Sequence, residues 1–168
     1  MEIKGIDVSS WQGSIDWQAV KDAGIGFAIL RCGYGNDDVK QDDALFKRNA
    51  DECTRLGIPF GVYLYSYVTS VKAAESEANH VLRLIQGYDL SYPVYYDLED
   101  EKTTGVYSTI AIEIFASTFA KKIQDAGYKV GIYASKNWWI NHLPGTIYNQ
   151  WERWVAQYNS ECTYSGEY

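Results

Sequence analysis

Residues 94–100 read V-Y-Y-D-L-E-D, an apolar and aromatic run of high β propensity that ends in three acids within four positions. A strand with one face in water alternates polar and apolar residues. Near-continuous apolar runs belong instead to strands buried on both faces, as in a parallel sheet covered by helices. Similar short runs stand at 3–8, 26–32, 58–66, 92–98, 129–134 and 153–158, and helical periodicity fills 16–23, 42–56, 71–86 and 109–126. Gly24, Gly57, Gly87 and Gly127 follow these helices, where a left-handed C-terminal residue is wanted.

Repeated β-α units of this kind predict an α/β fold with a mostly parallel sheet, either open and doubly wound or closed into a barrel. A nucleotide-binding open sheet carries a glycine-rich turn after its first strand. Here that turn is D-V-S-S-W-Q-G, and the G-Y-G at 33–35 has no third glycine. The barrel is therefore favoured. In either architecture functional groups collect where parallel strands end. The polar residues there are Asp7, Arg31 and Tyr34, Tyr65 and Tyr67, Asp97 and Glu99, Tyr133 and Ser135, and Gln157 and Tyr158.

Asp97 and Glu99 are two residues apart, so they point the same way with Cα atoms about 6.6 Å apart. With Asp7 from the first strand they form a cluster of carboxylates. Mutual repulsion and apolar walls raise the pKa of such groups, as a general acid at neutral pH requires. Among aromatic rings, the reaction this suits best is glycosidic bond cleavage, in which one acid protonates the leaving oxygen and another stabilises positive charge or activates water. Two other readings stay open at this point: a solvated loop start continued by Asp100 and Glu101, and a magnesium or calcium site, although no EF-hand spacing supports the latter.

Composition narrows the partners. A net charge of −7 without a basic run argues against nucleic acid or an anionic membrane. The 15 Tyr and 6 Trp against 5 Phe give an excess of rings with polar edges, which suit sugars as well as cores. Tyr63, Tyr65 and Tyr67 alternate along one strand and make a wall; Trp138, Trp139, Trp151 and Trp154 are read as packing residues, and Trp11 is open to either role. The histidines His80 and His142 show no partner pattern. Cys32, Cys53 and Cys162 are odd in number and widely spaced, which predicts buried thiols rather than disulfides or zinc. No signal peptide or membrane span is read in the sequence, which leaves a cytoplasmic protein, one exported or released by another route such as phage lysis, or an excised module.

In order along the chain stand G-I-D-V-S-S-W-Q-G (5–13), A-G-I-G-F-A-I-L-R-C-G-Y-G (23–35), G-I-P-F-G-V-Y-L-Y-S-Y (57–67), Y-Y-D-L-E-D (95–100), G-Y-K-V-G-I-Y-A-S (127–135) and W-V-A-Q-Y (154–158). As a set they resemble the glycoside hydrolase family 25 lysozymes, the Chalaropsis-type muramidases of bacteria, phages and fungi. The resemblance implies one catalytic domain over 1–168 with an irregular (β/α) TIM-like barrel. It also implies hydrolysis of the β-1,4 bond between N-acetylmuramic acid and N-acetylglucosamine in peptidoglycan, at the cell wall and without metal or cofactor. Position by position, Glu99 resembles the general acid/base, Asp97 the assisting carboxylate and Asp7 a substrate-contacting acid, while Tyr34, Tyr65, Tyr133, Gln157 and Arg31 fall among groove residues. Family members continue past W-V-A-Q-Y with further strands and another acid, so this chain is expected either to be truncated relative to the family or to form a barrel open at one seam. Exposed edges there are able to pair with other strands. Two further readings accompany this one, a glycan-binding barrel that no longer cleaves and an enzyme acting on another N-acetylglucosamine polymer such as chitin.

Overall fold

The computed structural model describes residues 3–168. Six strands alternate with five helices: β1 (Gly5–Val8), α1 (Trp17–Asp22), β2 (Phe27–Tyr34), α2 (Phe46–Leu56), β3 (Phe60–Tyr65), α3 (Val71–Ile85), β4 (Val94–Asp97), α4 (Thr109–Asp125), β5 (Val130–Ser135), α5 (Lys136–Asn141) and β6 (Glu152–Ala156). All neighbours pair in parallel and spatial order follows chain order, β1-β2-β3-β4-β5-β6. The sheet curls until β1 and β6 line one cavity; among the described residues they do not pair, which leaves an incomplete TIM-like barrel with two free edges.

The two faces of the sheet divide the side chains. Outward residues such as Leu30, Val62, Leu64, Tyr96 and Ile132 are fully buried beneath the helices. In β4 the Tyr96 ring stacks on Phe119 of α4 with centroids 3.8 Å apart. Its hydroxyl donates to Glu77 of α3, which also accepts from Ser66 Oγ (2.7 Å) and the Tyr67 backbone N–H (2.9 Å). Glu77 is thus a buried carboxylate with each oxygen engaged, and it ties α3, the end of β3 and β4 together.

Facing inward are Arg31, Tyr63, Tyr65, Tyr95, Asp97 and Tyr133. Alternation alone would turn Tyr34 outward, since it stands three residues after Arg31. The register slips between Arg31 and Gly33, so that Arg31 pairs with Tyr63 while Tyr34 pairs with Tyr65. This bulge re-aims Tyr34 to the face that carries Tyr65. It needs glycine: a Cβ on Gly33 would lie 2.8 Å from the Gln41 carbonyl oxygen and from the His80 ring.

Gly24, Gly57, Gly87 and Gly127 all take positive φ, as their positions predict, and Gly57 closes α2 in the left-handed conformation with its N–H on the Cys53 and Thr54 carbonyls. The helix expected over 42–56 starts only at Phe46, because Asp42 and Asp43 are drawn into side-chain contacts of their own. His80 does have a partner, contrary to expectation. Its ring is fully buried, with Nε2 2.8 Å from Asp42 Oδ1 and Nδ1 3.0 Å from the Gly35 carbonyl, and Arg83 grips the same Asp42 carboxylate. His142 stacks on Trp138. Cys32 and Cys53 are buried as expected, but Cys162 is exposed, because it follows β6 in a segment that no helix or strand covers.

Phe119 holds β4 from outside the sheet and is fully buried. Phe119→Ala should cost about 3–5 kcal/mol of stability. In urea unfolding this appears as a lower midpoint with unchanged slope.

Candidate active site

The C-terminal ends of β1 to β6 surround a cavity of 160 Å³ lined by Asp7, Arg31, Tyr63, Tyr65, Asp97, Glu99, Tyr133 and Trp154. Asp97 is the deepest acid, 3% exposed, and its Oδ1 has no hydrogen-bond partner. Its pKa is pushed well above the usual carboxylate range by burial first and then by Glu99 and Asp7, with Arg31 opposing. Glu99 follows two residues later, half-buried, and burial raises it too, against one hydrogen bond from the Ser135 backbone. Asp7 is raised by burial on the cavity side, offset by its own backbone N–H, but it sits on the free edge strand and stays exposed.

The third acid of the run has a different job. Burial works on Asp100 as well, but hydrogen bonds from the Thr103 hydroxyl and N–H, the Tyr65 hydroxyl and the Lys102 N–H prevail and hold its pKa low. It stays ionised as the cap of the loop after β4. A strand built for burial thus ends in acids of three kinds: buried, half-buried and capping.

Arg31 is held in place before any ligand arrives. Its Nε donates to Asp43 Oδ2 (2.9 Å) and its Nη2 to Ser10 Oγ (3.1 Å), while Asp43 also accepts from the backbone N–H groups of Ser10 and Leu45. The turn after β1 and the loop after β2 are thereby fastened to the cavity wall. Trp154 makes edge-to-face contacts with Tyr63, Tyr95 and Tyr133 at 6.3, 5.2 and 4.6 Å between centroids. Burial pushes the Tyr63, Tyr65 and Tyr133 hydroxyls upward, and the nearby carboxylates add to it, so these groups act as neutral hydrogen-bond partners.

The cavity opens into a groove of 690 Å³ that shares Arg31 and Tyr65 with it and runs between Trp11, Tyr34, Tyr67 and Lys40. Trp11 stands 85% exposed on the turn after β1. Of the residues singled out in the sequence, Asp7, Arg31, Tyr65, Asp97, Glu99 and Tyr133 meet in the cavity, and Tyr34 lies in the groove. Gln157 lies apart from both, with its amide bonded to Thr163. Gln157 stands one residue past the end of β6, outside the alternation that turns Trp154 to the cavity. Trp154 faces the cavity instead of packing elsewhere, because its pairing with Tyr133 across β5 and β6 places it here. A larger cleft of 760 Å³ lies away from the strand ends, between β6 and the C-terminal segment. Among the described residues, no group of three His, Cys, Asp or Glu side chains is arranged to hold a metal ion.

Residues 6–167 match the family described as glycosyl hydrolases family 25. The autolytic lysozyme of Clostridium acetobutylicum is 28% identical over 169 residues, which cover 98% of this chain and 49% of that protein. The modular autolysin LytC of Streptococcus pneumoniae, solved in complex with a synthetic peptidoglycan ligand, is 30% identical with a TM-score of 0.85, over 98% of this chain and 39% of LytC. A family 25 glycosyl hydrolase from Bacillus anthracis shares the fold, with a TM-score of 0.85 at 23% identity over 99% of this chain and 76% of its own. The chain spans about half the length of the Clostridium relative and less of LytC.

Asp97 links the site to stability. In the unfolded chain it titrates near 3.8; in the folded protein it keeps its proton to higher pH. Between those values the folded state binds more protons, so stability falls as pH rises. Asp97→Asn should therefore gain on the wild type from about pH 4 upward and show no such gain below both pKa values, as read from urea midpoints across pH. A gap independent of pH would contradict this assignment.

Proposed function

The chain belongs to glycosyl hydrolases family 25, and on that footing we propose that it is a muramidase, cleaving the β-1,4 bond between N-acetylmuramic acid and N-acetylglucosamine in peptidoglycan. The observation that carries this reading is the pair at the end of β4. Asp97 is buried with one carboxylate oxygen unpartnered, and Glu99, two residues on, is held toward its protonated form at the cavity mouth. A buried oxygen without a donor calls for one from the ligand.

In the route that the family resemblance implies, the substrate's acetamido oxygen attacks the anomeric carbon while Glu99 gives its proton to the leaving glycosidic oxygen. Asp97 accepts from the acetamido N–H. That N–H, and the positive charge growing on the acetamido group, both favour the anion that burial disfavours. Water then opens the intermediate at the anomeric carbon, and Glu99 takes up its proton. Arg31 and the tyrosine hydroxyls supply fixed dipoles and charge around the sugar, and Trp154 a ring face or edge. Residues 1–168 are read as a single catalytic unit acting on the glycan strands of the cell wall. Among the described residues no helix is long and apolar enough to cross a membrane.

A second reading, glycan binding without cleavage, draws on one feature. Asp7 lies exposed on an unpaired edge rather than enclosed. The two readings part on one variant. Glu99→Gln should lower reducing-end release from purified cell walls by about 10²- to 10⁴-fold while wall binding persists. Release at the wild-type rate would remove Glu99 from the chemistry, and binding with no release from the wild type would select the second reading.

A further inference from the structure

The groove beyond the cavity holds more than sugar-stacking rings. Asp43 is committed to Arg31, and Asp42 to Arg83 and His80. Lys40 sits on the short turn Val39–Gln41, exposed, with its backbone N–H received by the Asp38 carboxylate. Among the described residues, no ion pair includes the Lys40 ammonium. In a chain of net charge −7 the groove lined by Trp11 and Tyr67 therefore also carries a cation that no carboxylate pairs. The cavity itself is lined by three carboxyl groups, Asp7, Asp97 and Glu99, and its one cation, Arg31, is already paired with Asp43, so it offers an anion no free partner. The cavity and the groove thus differ in whether they leave a cation free.

We propose that this arm of the groove takes the acidic peptide substituent of the glycan strand, with Lys40 pairing with a peptide carboxylate and Trp11 and Tyr67 flanking the saccharide that bears it. The assignment rests on the muramidase reading and adds a selectivity to it. The sugar backbone that runs past Asp97 and Glu99 is neutral, whereas its lactyl-linked peptides bear carboxylates. Placing the cation in the arm rather than in the cavity steers that charge away from the acids that do the chemistry. The positions of Lys40 and Trp11 are set by the contacts already described. Asp42, clamped by Arg83 and His80, ends the turn that carries Lys40, and Ser10, bound by Asp43 and Arg31, begins the turn that carries Trp11.

The test uses two glycan preparations free of phosphate polymers, one with its peptides intact and one stripped of them by an amidase. The wild-type ratio of kcat/KM between them should favour the peptide-bearing strand by about two- to fivefold, the range of a solvent-accessible ion pair. Lys40→Met should bring that ratio close to one, Lys40→Glu should invert it, and Lys40→Arg should keep it. A ratio that Lys40→Met leaves at the wild-type value overturns the assignment. Cleavage of neither preparation would sink the muramidase reading alone, and the same ratio is then read from affinities by titration calorimetry. A Lys40-dependent preference there upholds the arm, while equal affinities or no binding reject it.

Discussion

The stacking of Tyr96 on Phe119, with the Tyr96 hydroxyl bonded to the buried Glu77, is the contact on which the strand ends depend. It clamps β4 from the outer face of the sheet. Because successive side chains point to opposite faces, a clamp on Tyr96 from outside dictates that Tyr95 and Asp97 point in. Glu77 extends the same constraint to the end of β3 through Ser66 and the Tyr67 N–H, so the wall that carries Tyr65 and Tyr67 is set by the same carboxylate. One buried acid on a helix thus arranges another on a strand.

Electrostatically the site is organised by what is left unpaired. Most polar groups around it are committed: Arg31 to Asp43 and Ser10, Asp42 to Arg83, Asp100 to Thr103. Asp97 Oδ1 is not, and an unpartnered buried oxygen carries a desolvation cost of about 1–3 kcal/mol. The fold tolerates that cost at the place where a ligand can relieve it. Preorganisation of this kind places the stabilising group before the reacting one arrives, so no rearrangement is needed during the reaction.

Much of this was legible from period and punctuation. Apolar runs of strand length separated by amphipathic segments, each closed by glycine, were enough to predict a parallel β-α sheet, and the strand-end rule then brought Asp7, Asp97 and Glu99 together. What escaped depends on relations between strands rather than within them. The bulge at Cys32 that turns Tyr34 inward is a matter of register between β2 and β3. Trp154 enters the cavity through its pairing with Tyr133, while Gln157, just past the end of β6, is taken up by Thr163. His80 and Asp42 are 38 residues apart, and nothing local marks them as partners. The exposure of Cys162 likewise follows from which layer covers a segment, not from the residue.

The strand order has a consequence for how such a sheet is made. Each strand pairs with the one before it and the one after it in the chain, with a helix or short turn between, and no strand waits for a distant partner. Loop closures are therefore all of one β-α unit, and the entropic cost of each is modest. Units added in this way accumulate from the N-terminus in the direction a ribosome delivers them. The cavity, by contrast, draws on all six strands: its carboxyl groups are in place once β1 to β4 have paired, but the Trp154 wall closes over them only when β6 docks.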